Sequence, residues 1–150
     1  MKVVHRLASV VRWLAVFSMC GAVGCGSAKP KEIVMVAAPN RLRNFTMAYL
    51  HATNALNRPP RNAEELKPYL TKIGDPKELL SSPRDGAEWI VHWGADLRKL
   101  PAQGDKSPVW LYEKNPHAGK RWVLRERNPM ELADEEFRNS LFAPGFKPPF

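Results

Sequence analysis

The chain has 150 residues, with 23 Lys or Arg against 15 Asp or Glu, a net charge of +8, and only two cysteines. This length holds a single core and hardly two domains. Both cysteines, Cys20 and Cys25, fall near the start of the chain, where three readings compete: a disulfide, a metal pair or a processing site.

The first twelve residues, "MKVVHRLASVVR", carry Lys2, Arg6 and Arg12 with no acid, and they lead into an apolar run from Trp13 to Val23. A charged start before a short hydrophobic middle is the pattern of a secretory signal peptide. As a helix the run would span roughly 17 Å, about half of the hydrocarbon core, so it is too short for a permanent transmembrane helix. The junction "AVGC" puts small side chains directly before Cys25 and resembles a bacterial lipobox, with Ala22 where Leu is usual. Cys20 is the poorer candidate, because "FSMC" places bulky Met19 at the junction. The resemblance implies cleavage after Gly24, diacylglycerol on the Cys25 thiol and acylation of the new amino terminus. Cys20 would then be discarded and Cys25 consumed, leaving no thiol, disulfide or cysteine ligand in the mature chain. Several acyl chains, at ~0.8 kcal/mol per buried CH₂, suffice to hold a small domain on a membrane. The expectation is an exported protein, anchored through Cys25 to a bacterial membrane and facing the periplasm or the exterior. Losing residues 1–24 removes three of the 23 basic residues and none of the 15 acidic ones, which leaves +5. The remaining cations are interspersed with Glu64, Glu65, Asp96 and Glu136, a solvated basic surface, and export makes nucleic acid the least accessible partner.

Residues 25–38 read as the lipidated cysteine and a tether, whose apolar end "IVMVAA" is either a strand or the entry to a helix. Residues 39–150 read as one globular domain. Leu42, Phe45, Tyr49, Ala52 and Leu56 follow a 3, 4, 3, 4 spacing, the stripe of an amphipathic helix that Pro39 and Asn40 start and Asn57, Pro59 and Pro60 stop. "RNAEELKPYL" offers Asn62 as N-cap with Glu65 three residues on, and "DPKELL" offers Asp75 as cap with Pro76 at the first helical position.

The period then changes from helix to strand. "EWIVHW" sets Trp89, Val91 and Trp93 against Ile90 and His92; "PVWLYE" sets Val109, Leu111 and Glu113 against Trp110 and Tyr112; "RWVLRE" sets Trp122 and Leu124 against Val123 and Arg125. Short connections make these an antiparallel meander. If the long helix covers one face, the Trp89 set is the better one to bury, leaving His92 and charged neighbours outside. In "MELADEEFRNSLF" Asp134 is placed to cap a last helix carrying Phe137, Leu141 and Phe142, and "APGFKPPF" follows as a surface strap.

The expected fold is therefore α+β: a long amphipathic N-terminal helix on a three- to four-stranded antiparallel meander, with short additional helices. The segments "RPPRNAEELKPYL", "SPRDGAEWIVHWGADL", "VWLYEKNPHAGKRWVL" and "LADEEF", in that order, are similar to the globular domains of type II pseudopilins, and look more like those of small planctomycete lipoproteins. The resemblance implies a fold. A filament-forming pseudopilin also has a long hydrophobic helix ahead of its domain, and here a lipobox stands in that place.

His5, His51, His92 and His117 lie far apart in sequence, and none has a second ligand at a metal-binding spacing, so neither a metal nor another cofactor is expected. Nucleophile-elbow and phosphate-loop patterns are missing from the sequence, and no catalytic residue is assigned. Glu88, Asp96 and Glu113 are the carboxylates that could serve a glycosidase, though nothing in the sequence pairs them. Trp89, Trp93, Trp110, Tyr112 and Trp122 form the one suggestive group, either the floor of a helix-covered core or an aromatic platform for sugars. The leading expectation is a monomeric, lipid-anchored, non-catalytic envelope module that is structural or binds an envelope protein. Its alternatives are a carbohydrate or peptidoglycan binder using the aromatic face, and an envelope hydrolase.

Overall fold

The computed structural model describes residues 31–101 and 106–148. The expected signal segment, Cys25 and the first part of the expected tether lie outside them. The architecture is α+β: a long N-terminal helix, two short helices, an antiparallel sheet and a final helical turn.

Helix α1 spans Lys31–Leu56, so Pro39, the expected start, lies inside it. The 3-and-4 spacing runs back through the proline to Ala38, which is fully buried with Leu42, Phe45, Tyr49 and Ala52. A proline inside a helix costs ~3 kcal/mol, and the packing of Ala38 and Leu42 on either side offsets it. The open choice for "IVMVAA" thus resolves as helix, and residues 31–38, expected in the tether, belong to α1. Buried Thr46 and Thr53 donate to the carbonyls of Leu42 and Tyr49, both at 2.8 Å, so neither hydroxyl is stranded. Asn57, at φ 54°, ends the helix in the left-handed region that asparagine tolerates.

Helix α2, Ala63–Leu70, is capped as the sequence predicts: Asn62 Oδ1 accepts from the Glu65 N–H at 2.9 Å. The return bond differs, since Glu65 accepts from the Arg61 N–H at 2.9 Å and takes a two-pronged contact from Arg58 at 2.8 and 3.0 Å. Helix α3, Pro76–Leu79, has Asp75 as its cap. Its last carbonyls are met by Arg41, which donates to Glu78 O at 3.1 Å, and by the Trp89 indole, which donates to Leu79 O at 3.1 Å.

Strands β1 (Ile90–Val91), β2 (Val109–Tyr112), β3 (Lys120–Arg125) and β4 (Asn128–Ala133) form one antiparallel sheet in the order 1-2-3-4. The fourth strand lies where the sequence suggests only the approach to the last helix. Pro129 disguises it, and the proline is tolerated because β4 is an edge strand paired to β3 alone. The register shifts between Val109 and Leu111, so strict alternation fails in β2. Trp110 and Leu111 both join the cluster under α1, while Val109 and Tyr112 join the opposite one.

The expectation for β1 holds on its inner side, where Trp89 is buried and Val91 and Trp93 pack against the α1 cluster. It fails on the outer side. In place of a polar surface there is a second core of Val109, Tyr112, Val123, Leu132 and Phe137, against which Ile90, Met130, Phe142 and Phe146 pack. Helix α4, Asp134–Arg138, and the C-terminal strap supply that cover. Asp134 is not the cap: Ala133 holds that position and donates its N–H to Glu136 at 3.0 Å, while Asp134 accepts from Arg121 at 2.9 Å. Leu141 lies beyond the helix and is 61% exposed, whereas Phe142 bridges in parallel to Val109.

Phe45 is fully buried, with the Tyr49, Trp93 and Trp110 rings within 6.4 Å of its own. Phe45→Ala is expected to destabilise the fold by about 3–5 kcal/mol in urea unfolding.

Candidate functional site

The five aromatic candidates do not form a surface. Trp89, Trp110, Tyr112 and Trp122 are all less than a tenth exposed, Tyr112 on the α4 side and the three indoles on the α1 side. Only Trp93 is half-buried, and it lies against Phe45 and Tyr49. Stacking on a sugar needs an open ring face, which four of the five lack. Two indoles are also tied through their nitrogens, Trp89 to Leu79 O at 3.1 Å and Trp110 to Glu126 O at 2.8 Å.

The carboxylate candidates separate in the same way. Glu88 is exposed beside the bridge that its backbone makes to Ser81. Asp96 is held by Arg98 at 2.8 and 3.0 Å, which lowers its pKa. Glu113 is buried, accepting from Ser82 Oγ at 2.6 Å, the Trp122 N–H at 2.8 Å and Arg84 at 3.2 Å. Burial pushes its pKa up against those three donors. Arg84 also pairs with Glu131, and its guanidinium lies 5.7 Å from the Trp122 ring centre. The cluster pins the turn after α3 to the sheet, with both oxygens of Glu113 occupied. That is a structural lock, and the sequence carries no signal for it because Ser82, Arg84 and Glu113 come from separate segments.

Among the described residues no three His, Cys, Asp or Glu side chains converge on a metal-sized site. His51 and His117 are exposed, and His92 is half-buried against Phe146 with ring centres 5.1 Å apart. Desolvation lowers the His92 pKa.

An open groove of about 400 Å³ lies between α1 and the end of α2, lined by His51, Ala55, Tyr69, Lys72 and Ile73. His51 and Ala55 stand one turn apart on α1, on its solvent side. The turn after α2 closes through Ile73 N–H and Gly74 N–H to Leu70 O, at 2.8 and 2.9 Å, and presents Lys72 and Ile73. Lys72 Nζ lies 5.6 Å from the Tyr69 ring centre. Leu66 and Leu70 pack α2 on α1, and the Arg58 contact from the connection holds the Glu65 pKa down at about 2. His51 and Tyr69 belong to separate helices, and their meeting is a tertiary fact that neither helical period reports.

Comparison with family models, with curated proteins and with solved structures gives no match.

Arg84→Met is expected to cost about 3–5 kcal/mol near neutral pH, since it strands the buried Glu113 carboxylate. A carboxyl whose folded pKa is raised destabilises as pH rises through that range, so the deficit in chemical unfolding should shrink on acidification.

Proposed function

We propose that the chain is a lipid-anchored, non-catalytic module of a bacterial envelope that works by binding another envelope component. The observation that carries this reading is the contrast between two regions. The groups suited to chemistry or sugar stacking are packed or ion-paired inside the fold, while the α1–α2 groove is open and lined by unlike side chains. The anchor rests on the sequence around Cys25. The few residues between Cys25 and Lys31 reach at most about 20 Å when extended, so a lipid on Cys25 keeps α1 close to the bilayer. Among the described residues no helix is long and apolar enough to cross a membrane.

The glycan-binding alternative draws little support from the ring positions above, and the hydrolase alternative little from the occupied oxygens of Glu113. A pseudopilin-like domain is compatible with the α+β arrangement and adds no activity to it.

Two measurements test the proposal. Mass spectrometry of the membrane-extracted protein is expected to find Cys25 as an acylated amino terminus, and Cys25→Ala to accumulate uncut precursor; a soluble chain starting elsewhere would sink the anchor. Iodide is expected to quench the indole fluorescence weakly, with Trp93→Phe removing most of the accessible part. Strong quenching that glycan fragments suppress would favour the sugar binder.

A further inference from the structure

We infer that the α1–α2 groove docks an acidic, amphipathic segment of a partner protein. This rests on the module reading above and names the partner class.

The groove is complementary in charge to an acidic partner. The groove has a lysine and a histidine among its lining residues and no carboxylate. The acids of α2 are engaged elsewhere, Glu64 with Lys67 at 3.7 Å and Glu65 with Arg58 at 2.8 Å. Lys72 enters no ion pair among the described residues, and its ammonium rests over the Tyr69 ring. It is a compact cation whose donors remain free for an incoming carboxylate.

The remainder of the lining is apolar enough to hold a hydrophobic side chain. Ala55 and Ile73 supply a small apolar floor. Met47 is 51% exposed and sits one turn before His51, so Met47, His51 and Ala55 form a stripe at i, i+4 and i+8. An exposed flexible thioether one turn from His51 suits a partner side chain of irregular shape. A helix with apolar residues one turn apart and carboxylates beside them meets both needs at once.

Other occupants fit less well. His51 lies roughly 30 Å along α1 from Lys31, so the groove is at the end of the helix away from Cys25. Lys72 covers one face of the Tyr69 ring, which a stacking sugar would need.

The test uses the full chain extracted in detergent and a labelled helical peptide with Leu on one stripe flanked by Glu, beside the same peptide with Lys for every Glu. Fluorescence anisotropy is expected to show the Glu peptide binding about tenfold more tightly at low salt, with the difference shrinking at high salt. Lys72→Glu should reverse the preference. Ala55→Glu, at an exposed position, should weaken binding of the Glu peptide through both bulk and charge without unfolding the chain, as circular dichroism would verify. Equal binding of the two peptides, no binding of either, or indifference to Lys72→Glu would overturn the inference. So would self-association abolished by Ala55→Glu, which would make a second copy the occupant. The titration does not depend on the state of Cys25, so its failure leaves the anchor to stand or fall on mass spectrometry.

Discussion

The packing of the α1 rings on the sheet is the contact from which the rest of the arrangement follows. Tyr49 lies 5.0 Å from Trp110 and 6.5 Å from Trp93, and Phe45 lies 6.1 Å from Trp110, ring centre to ring centre. Aromatic side chains bury large areas, so these four rings dominate the apolar surface that the helix and the sheet remove from water. The Tyr49 hydroxyl donates to Ala95 O at 3.0 Å, which ties the loop after β1 to the helix, and burial raises the phenol pKa. Because the rings face the helix, the indoles serve cohesion.

Burying one face of the sheet does not finish it. Val109, Tyr112 and Val123 project to the other side, and the β2 bulge that turns both Trp110 and Leu111 toward α1 fixes which residues those are. The second face is closed by Phe137 from α4 and by Phe142 and Phe146 from the strap. The strap is registered by backbone bonds, Val109 N–H to Leu141 O at 2.8 Å and Ala143 N–H to Val109 O at 2.9 Å. A surface that strand alternation alone marks as polar is therefore a second core.

The helix stripe, the Asn62 and Asp75 caps, the inward Trp set of β1 and the α+β class are all legible in the sequence, because each depends on local period or a single cap. What is hidden there depends on contacts between distant segments. Pro39 is a helix start by its own chemistry and an interior residue by virtue of Ala38 packing before it. Asp134 is a capping residue by type, yet Arg121 from β3 claims its carboxylate. The bulge at Trp110 has no sequence mark, since one irregular step costs little when both flanking residues are apolar. The Ser82, Arg84, Glu113 and Glu131 lock and the α1–α2 groove each join segments that no periodicity connects.

These packing choices also decide which surfaces remain for binding. A sheet can take a partner along an edge, on a face or through the helices beside it. Both faces are covered. At the β4 edge Pro129 offers no N–H and the Ala133 N–H is taken by Glu136, while at the β1 edge the strand is two residues long and the Trp89 N–H is taken by Leu80 O at 3.1 Å. Edges blunted in this way resist strand addition. The helical side remains, and there α1 keeps one stripe for the core while Met47, His51 and Ala55 stay on the other. A helix long enough to serve the core along one side has a second side to spare, and Leu66 and Leu70, packed in the α1 cluster, set α2 beside it so that the spare side becomes a wall of a groove.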